Sequence, residues 1–477
     1  MSFAGWSGDP NVARVVDLTH ERALVWLLDM YGGARPKVLQ AVLSHAFKLG
    51  ARTAIIEYRY IDQDWRNEHT AFYTGTFRRY PSVAHRIHFF ENSAPVELRT
   101  LEQPTIVGKM GYLGYAVMRP VPAAPVGRTF LAPIDTATTT CRSVETVNLF
   151  GASLKVTGIA FIAQDAQLSR CAQTTTWVTA HHHHRRFNAP RALPGDIAAA
   201  VVASTEHGRP LPSPGLTIGQ IADVARSVGL PPLVYPLRQL SEGEDPESVI
   251  CRYLNSSLPV TVATGTHAFV LVGYGRKSAA DSTSRLYFIR HDDEVGPYQE
   301  VDWQLDDYGV WEYAVVPLPA KVYLPGENAE AIGARRIQDS LDRSTDARAR
   351  VLVEALQVPS SRLTFRSTVV LSNEYKTRLT AENGYPASVT AAFRTMQMSR
   401  YVWVVELLDR DLWEADRTAR CVLAEAVIDA TDHIRDLHVL GWRIPGEVRA
   451  WIPDEDVEEV LLVPEDVGPT PSVMQAI

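Results

Sequence analysis

The stretch from Pro259 to Asp292 constrains the fold more than any other part of this chain. Pro259–Ala263 and His267–Gly275 are two β-rich runs either side of a polar break at Gly265–Thr266, and Leu286–Asp292 is a third. Runs of this kind predict strands. The polar loop from Arg276 to Arg285 is short enough to make the second and third an antiparallel hairpin. Period two then places His267, Phe269, Leu271 and Gly273 on one face, with His267 at the strand's start. The hairpin returns the acidic end, Asp292-Asp293-Glu294, beside that start, so Asp292 can accept a hydrogen bond that fixes the His267 tautomer. Taken singly, a strand histidine can be satisfied by a neighbouring carbonyl, and Asp292 and Asp293 can be turn residues before Gly296-Pro297.

A third group changes the weight of that pair. Cys171 lies in the run Gln164 to Trp177, where Ser169 is a plausible helix cap and Cys171 falls in the first turn. Unpaired backbone N–H groups and the helix dipole at that position favour thiolate over thiol, and a nearby imidazolium favours it further. Gln164, seven positions before Cys171, is placed to offer its side-chain amide to an oxyanion, and Gln167 is a rival for the same role. Cys141, Cys251 and Cys421 read as buried and inert, with Cys251 packed into the core by the helix that Asp245-Pro246 begins.

These residues resemble the papain-like cysteine peptidases. His267-Ala268 with Val272-Gly-Tyr-Gly275 looks like the family's histidine strand, and Tyr287, Ile289 and Asp292 look like the strand that follows it. The cysteine segment departs from the family's signature, carrying Arg170-Cys171-Ala172. The spacing of 96 positions between Cys171 and His267, together with the segment from Gly215 to Ala225, is similar to the compact double-glycine leader peptidases of bacteria. The resemblance covers residues 156–318. It implies an α+β fold in which a helix carrying Cys171 packs on an antiparallel sheet carrying His267 and Asp292. It also implies cysteine-type cleavage of a peptide or isopeptide bond through a Cys171 thioester, with Gln164 in the oxyanion site and a protein or peptide as substrate. A transglutaminase- or deamidase-type acyl transferase and a catalytically silent binding or scaffold protein are the alternatives on the same fold. Asp293 stays a rival to Asp292 as the third member.

Length and composition bound the rest. The 477 residues are 46% hydrophobic and 21% charged, which suits an ordinary globular protein of two or three domains. We divide it into an N-terminal α+β region (1–155), the papain-like region (156–318) and a C-terminal α+β region (319–477), whose flanks are candidate partner-binding surfaces. Four cysteines without paired spacing exclude a disulfide framework and a Cys-x-x-Cys zinc site, and point to a reducing, cytoplasmic setting. A net charge of −8 with no basic block argues against nucleic-acid binding. No apolar run is long enough to span a membrane, no leader pattern opens the chain, and no nucleotide-binding glycine loop occurs, so no cofactor is expected. Abundant Ala and a preference for Arg over Lys hint at a bacterial gene. His181–His184 with Arg185-Arg186 cannot converge on one metal from a helix, and read as an exposed cationic end of the Cys171 helix rather than a metal site.

Local patterns predict several further elements. Helices are expected over Pro36–Leu49, from the Thr217/Gln220 capping box to Gly229, after Asp245, and over Ala329–Leu341 and Ala347–Leu356. Strands are expected over Ala51–Asp62, Thr70–Tyr80, Val107–Arg119 and Thr146–Ala163, and over Tyr401–Leu408 and Ala450–Pro453. Pro120–Gly127 reads as a connector, Cys421–Ala430 fits helix or strand, and the tail from Pro464 reads as loose.

Overall fold

The structure is a computed structural model that describes residues 6–7, 13–32, 36–93, 103–136, 138–165, 171–203, 216–278, 284–358, 361–431, 439–452, 457–461 and 468–473. It is mixed α+β with antiparallel sheets, and it divides into two compact units. The first is residues 1–243 with 258–319, and the second is 244–257 with 320–477.

The first unit holds two sheets. An eight-stranded sheet is built from β1 (Trp6–Ser7), β2 (Ala13–Asp17), β3 (Thr53–Tyr60), β4 (Ala84–Phe90), β5 (Tyr112–Met118), β6 (Val126–Leu131), β7 (Ser143–Leu149) and β8 (Ala152–Phe161). Its spatial order is sequential except at the end, where β8 lies between β6 and β7. α1 (Glu21–Tyr31) and α2 (Pro36–Lys48) bury Leu27, Val38, Leu39, Val42 and Leu43 against Ile56, Ile87 and Ala116 of that sheet. β7 alternates buried and exposed residues along its whole length, as a sheet edge with one solvated face requires.

The six-stranded sheet runs β13 (Gly296–Val301), β12 (Ser284–Asp292), β11 (Ala268–Ser278), β10 (Val260–Thr264), β14 (Trp311–Pro317), β9 (Pro232–Pro236). β11 and β12 form the expected hairpin, pairing Val270 with His291 and Leu271 with Arg290. One irregularity departs from strict period two: Val272 is bulged out of register. The backbone of Thr138–Cys141 crosses there, with Cys141 N–H donating to Val272 O and Tyr274 N–H to Thr138 O. A Cβ on Gly273 would sit 2.1 Å from Thr138 O, so only glycine admits this crossing.

The two sheets are joined by specific polar contacts. Tyr298 of β13 donates its hydroxyl to Leu131 O of β6 at 2.8 Å and accepts from Ile159 N of β8 at 3.1 Å. His291 of β12 meets Ala160 O at 3.2 Å. The chain on either side of residue 155 therefore lies in one compact unit, whereas residue 319 does mark a boundary.

In the second unit, β15 (Leu363–Leu371), β16 (Tyr401–Asp409), β17 (Arg420–Asp429), β18 (Val439–Ile444), β19 (Glu447–Ile452) and β20 (Val457–Leu461) pair in order, and β21 (Thr470–Pro471) pairs with β17. A long helix, Gly326–Arg343, packs Ile337 and Leu341 against Leu407, Ala424 and Trp442. The helix Pro246–Asn255, capped as expected by Asp245, belongs here rather than beside the histidine strand. Its Tyr253 hydroxyl donates to Glu327, and Ser256 just beyond accepts from Val369 N.

Several expectations change. Thr70–Tyr80 is not strand: Asp62 accepts from Trp65 N–H and starts a helix, Gln63–Ala71, that buries Asp64, Trp65 and Glu68. Val107–Arg119 holds a short helical turn, Pro104–Gly108, and one strand. Cys421–Ala430 resolves as the strand β17, and the tail is not all loose, since β21 is tied to it. Cys251 is only half-buried, unlike Cys141 and Cys421. All four cysteines are free thiols.

Candidate active site

The helix α3 (Cys171–Phe187) begins at Cys171 and packs against β11 of one sheet and against β7 and β8 of the other. Enclosed from both sides, it has no single apolar face, and its hydroxyls must find partners inside the helix. Thr174 reaches Cys171 O at 2.7 Å, Thr175 and Thr176 reach Ala172 O at 2.9 and 2.8 Å, and Thr179 reaches Thr175 O at 3.0 Å. Such back-bonding lets a polar helix be buried without orphaned hydroxyls.

The same enclosure overturns the reading of the histidine run. His181, His182 and His183 are buried, not exposed. His183 is held between Thr179 O and Pro317 O at 2.9 and 3.0 Å, and burial depresses its pKa to about 4. Burial likewise drives His181 well below its ordinary value, helped by the charges of Arg128 and Arg185, so these rings are neutral packing groups.

His267 sits immediately before β11, where Thr264 N–H donates to His267 O and Thr264 Oγ1 accepts from His267 N. Two backbone contacts thus hold the residue at the strand's mouth. Its Nε2 lies 3.2 Å from Asp292 Oδ1 and 3.7 Å from Asp293 Oδ1, and its ring is also hydrogen-bonded to the Cys171 side chain. With Nε2 turned to the carboxylates, Nδ1 is the nitrogen left for the thiol. Burial disfavours the charged ring, but the hydrogen bonds to Asp292 and Cys171 and the negative charges of Asp292 and Asp293 outweigh it. They raise the pKa to about 10.

The neighbouring carboxyls are driven apart. Burial pushes Asp292 up, but the hydrogen bond and charge of His267, Glu294 N–H at 3.0 Å and Arg290 hold it below the usual range. Burial pushes Asp293 up to about 7; His267 opposes the rise and the Asp292 charge adds to it. Asp292 is therefore the ionised partner of His267. Thr174 Oγ1 lies 2.9 Å from Asp293 Oδ2.

Three residues that the sequence reading missed complete the surroundings. Tyr308 lies over the His267 ring, with centroids 4.3 Å apart, and hydrogen-bonds to Asp292. Arg290 stands 3.6 Å from Asp292 Oδ2 and is held by Asp306 at 2.9 Å. Asp306 also accepts from Trp311 Nε1 and from Tyr308 N, which fixes the loop that presents Tyr308. Thr174, one helical turn after Cys171, and Arg290, two positions before Asp292 on β12, were within reach of a spacing argument; Tyr308 was not, because only the folded loop brings it in.

Gln164, in the loop after β8, is 8% exposed, and its Nε2 donates to the exposed Glu294 carboxylate. It therefore stands at the same strand end as Asp292. Gln167 and the cap candidate Ser169 lie outside the described residues. Cys171 itself is half-buried, so a reagent can reach it. His267, Asp292 and Asp293 bring possible metal-ligating atoms within 4.8 Å of one another. Their pairing with each other, with Cys171 and with Arg290 uses those atoms for hydrogen bonds and ion pairs instead.

No helix among the described residues is long and apolar enough to cross a membrane. Compared with models of known protein families, with curated proteins and with solved structures, the chain shows no match to any of them.

Proposed function

We propose that the protein is a cysteine-dependent acyl-transfer enzyme, a peptidase or isopeptidase similar to the papain-like enzymes, acting on a protein or peptide. The observation that carries this reading is one imidazole engaged on one side by a half-exposed cysteine at a helix start and on the other by an ionised, buried aspartate. The chain order Cys, His, Asp and the helix-on-sheet setting support the likeness.

This reading implies the following steps. His267 takes the Cys171 thiol proton, and the sulfur attacks the substrate carbonyl carbon, whose π electrons move to oxygen. One Gln164 amide hydrogen is engaged by Glu294, and the other is available to that oxyanion. His267 passes its proton to the leaving nitrogen as the C–N bond breaks, leaving a thioester. Water, deprotonated by His267, then attacks the thioester, and the C–S bond breaks to restore the thiolate. Asp292 stabilises the imidazolium each time it forms. Tyr308 and Arg290 keep that carboxylate oriented.

An electrophilic peptide probe, with intact mass and peptide mapping, tests the reading. Labelling is expected at Cys171 and is abolished in Cys171→Ala, while the circular dichroism spectrum is unchanged. Persistent labelling of that variant, or a wild type that takes no label, sinks the proposal. Products then separate the acceptors: new chain termini mean hydrolysis, and cross-linked amines or released ammonia mean transfer or deamidation.

A further inference from the structure

The triad leaves one buried group at its centre without a role. Asp293 is 5% exposed, its Oδ1 has no hydrogen-bond partner, and its Oδ2 meets Thr174. Thr174 in turn sits on the Cys171 carbonyl.

We propose that Asp293 rests as a neutral carboxyl and acts as a positioning residue, tying the Cys171 helix to the His267–Asp292 strand ends through Thr174. This rests on the thioester reading for its purpose, though not for its chemistry. The argument is a count of protons. Thr174 has one hydroxyl hydrogen and two acceptors in reach, Cys171 O at 2.7 Å and Asp293 Oδ2 at 2.9 Å. A carbonyl cannot donate. Both contacts are full hydrogen bonds only if Asp293 carries a proton, giving the chain Asp293 Oδ2–H to Thr174 Oγ1–H to Cys171 O.

The surroundings favour the same state. Asp293 lines a cavity of about 10 Å³ with Phe161 of β8, Ile162 just beyond it, Val178 of α3, Val270 of β11 and His291 of β12. The charged or titratable groups that face it are His267, the Asp292 carboxylate, the exposed Glu294 and His291, which burial holds neutral with a pKa of about 3. With Arg290 already paired to Asp306, two carboxylates against one imidazolium would leave an unbalanced buried charge, and burial accordingly raises Asp293 into the neutral range. When the proton leaves, Thr174 must abandon one of its two acceptors, and a second anion faces His267.

The test uses the full-length protein. Infrared difference spectra of wild type minus Asp293→Asn at mildly acid pH should show the carbonyl band of a buried protonated carboxyl. The band should fade as pH rises through neutrality, shift in Thr174→Val, and persist in Cys171→Ala. Alkylation of Cys171 by iodoacetamide at mildly acid pH should slow by roughly tenfold or more in Asp293→Ala, and Asp293→Asn, whose amide can still donate to Thr174, should restore most of the rate. Absence of the band, a band indifferent to Thr174→Val, or an Asn variant as slow as the Ala variant overturns the proposal. Should Asp293→Ala fail to fold, the infrared arm on Asp293→Asn and Thr174→Val still decides. The infrared arm does not pass through Cys171. A wild type whose Cys171 proves inert while the band titrates therefore overturns the thioester reading and supports the carboxyl assignment.

Discussion

Two buried charge clusters in this molecule are built from similar parts and put them to different ends. In the second unit Glu406 and Glu425 lie among Arg366, Arg378 and Arg443. Glu425 accepts from Tyr375, Arg378 and Tyr385, and Glu406 accepts from Arg366, Ser472 and Val473 N. The unpartnered atoms there are arginine nitrogens, which stay charged at any ordinary pH. Around His267 the buried atoms without a hydrogen bond include Arg290 Nε but also Asp292 Oδ2 and Asp293 Oδ1, acceptors on groups that can take a proton. Burial pushes Glu425 up, but Arg378, Arg443 and the tyrosines hold it below the ordinary range, whereas Asp293 and His267 are moved to about 7 and about 10. The first cluster saturates its carboxylates with permanent cations; the second keeps titratable groups within reach of each other, as the proposed acyl transfer requires.

The largest expected effect breaks the second cluster's counterpart in the site. Asp292→Ala should slow turnover of an acyl substrate by about a thousandfold or more. It should also move the onset of Cys171 alkylation to higher pH, because His267 loses the hydrogen bond and charge that keep it cationic beside the thiolate; the pH dependence of iodoacetamide alkylation measures that onset. An unchanged onset would mean that His267 and Asp292 are a structural pair like those of the second unit.

Next in size is Glu425→Ala, which strands Arg378 and Arg443 and should cost about 3–5 kcal/mol. Urea denaturation checks it. A loss near zero would show that this cluster is not the saturated framework described above.

Gln164→Ala sharpens the comparison on the acceptor side. Acyl-substrate turnover should fall by about a hundredfold. Alkylation by iodoacetamide, which forms no oxyanion, should change far less. Equal losses in both assays would make Gln164 a packing residue.

The smallest effect is on stability against pH. His267 has a folded pKa raised from 6.5 to about 10, so its pairing stabilises the fold fully below the unfolded value and loses that contribution as pH rises through about 10. Asp293 has a folded pKa raised from 3.8 to about 7, so the native state binds the extra proton in between, and stability falls as pH rises across that window. Melts of Asp293→Asn across the neutral range should lose this second slope. Glu425 is held below its ordinary pKa, so its contribution is present above that value and lost in acid; the two clusters should thus respond to opposite ends of the pH scale.

Much of the site's frame could be read locally. The hairpin β11–β12 follows from period-two runs about a polar loop, and the Thr217/Gln220 box from its spacing. Thr70–Tyr80 went wrong because Asp62 caps a helix whose buried face carries Asp64 and Glu68. Those buried carboxyls are met from afar by Arg128 of β6 and Arg191 at Asp64, and by Arg119, just beyond β5, at Glu68. The histidine run went wrong for a related reason: a polar helix looks exposed until a second sheet covers it.

The sequence by itself therefore outlined, to within a few residues, the strands beside His267 and bearing Asp292, since turns and strand periods act between near neighbours. Tertiary structure alone decided that the Pro246–Asn255 helix serves the second unit, that His181 and His183 are neutral, that Asp292 rather than Asp293 is the ionised partner, and that Glu294 engages Gln164. Burial and protonation depend on groups far apart in the chain, and no local pattern encodes the dielectric in which a carboxyl will sit.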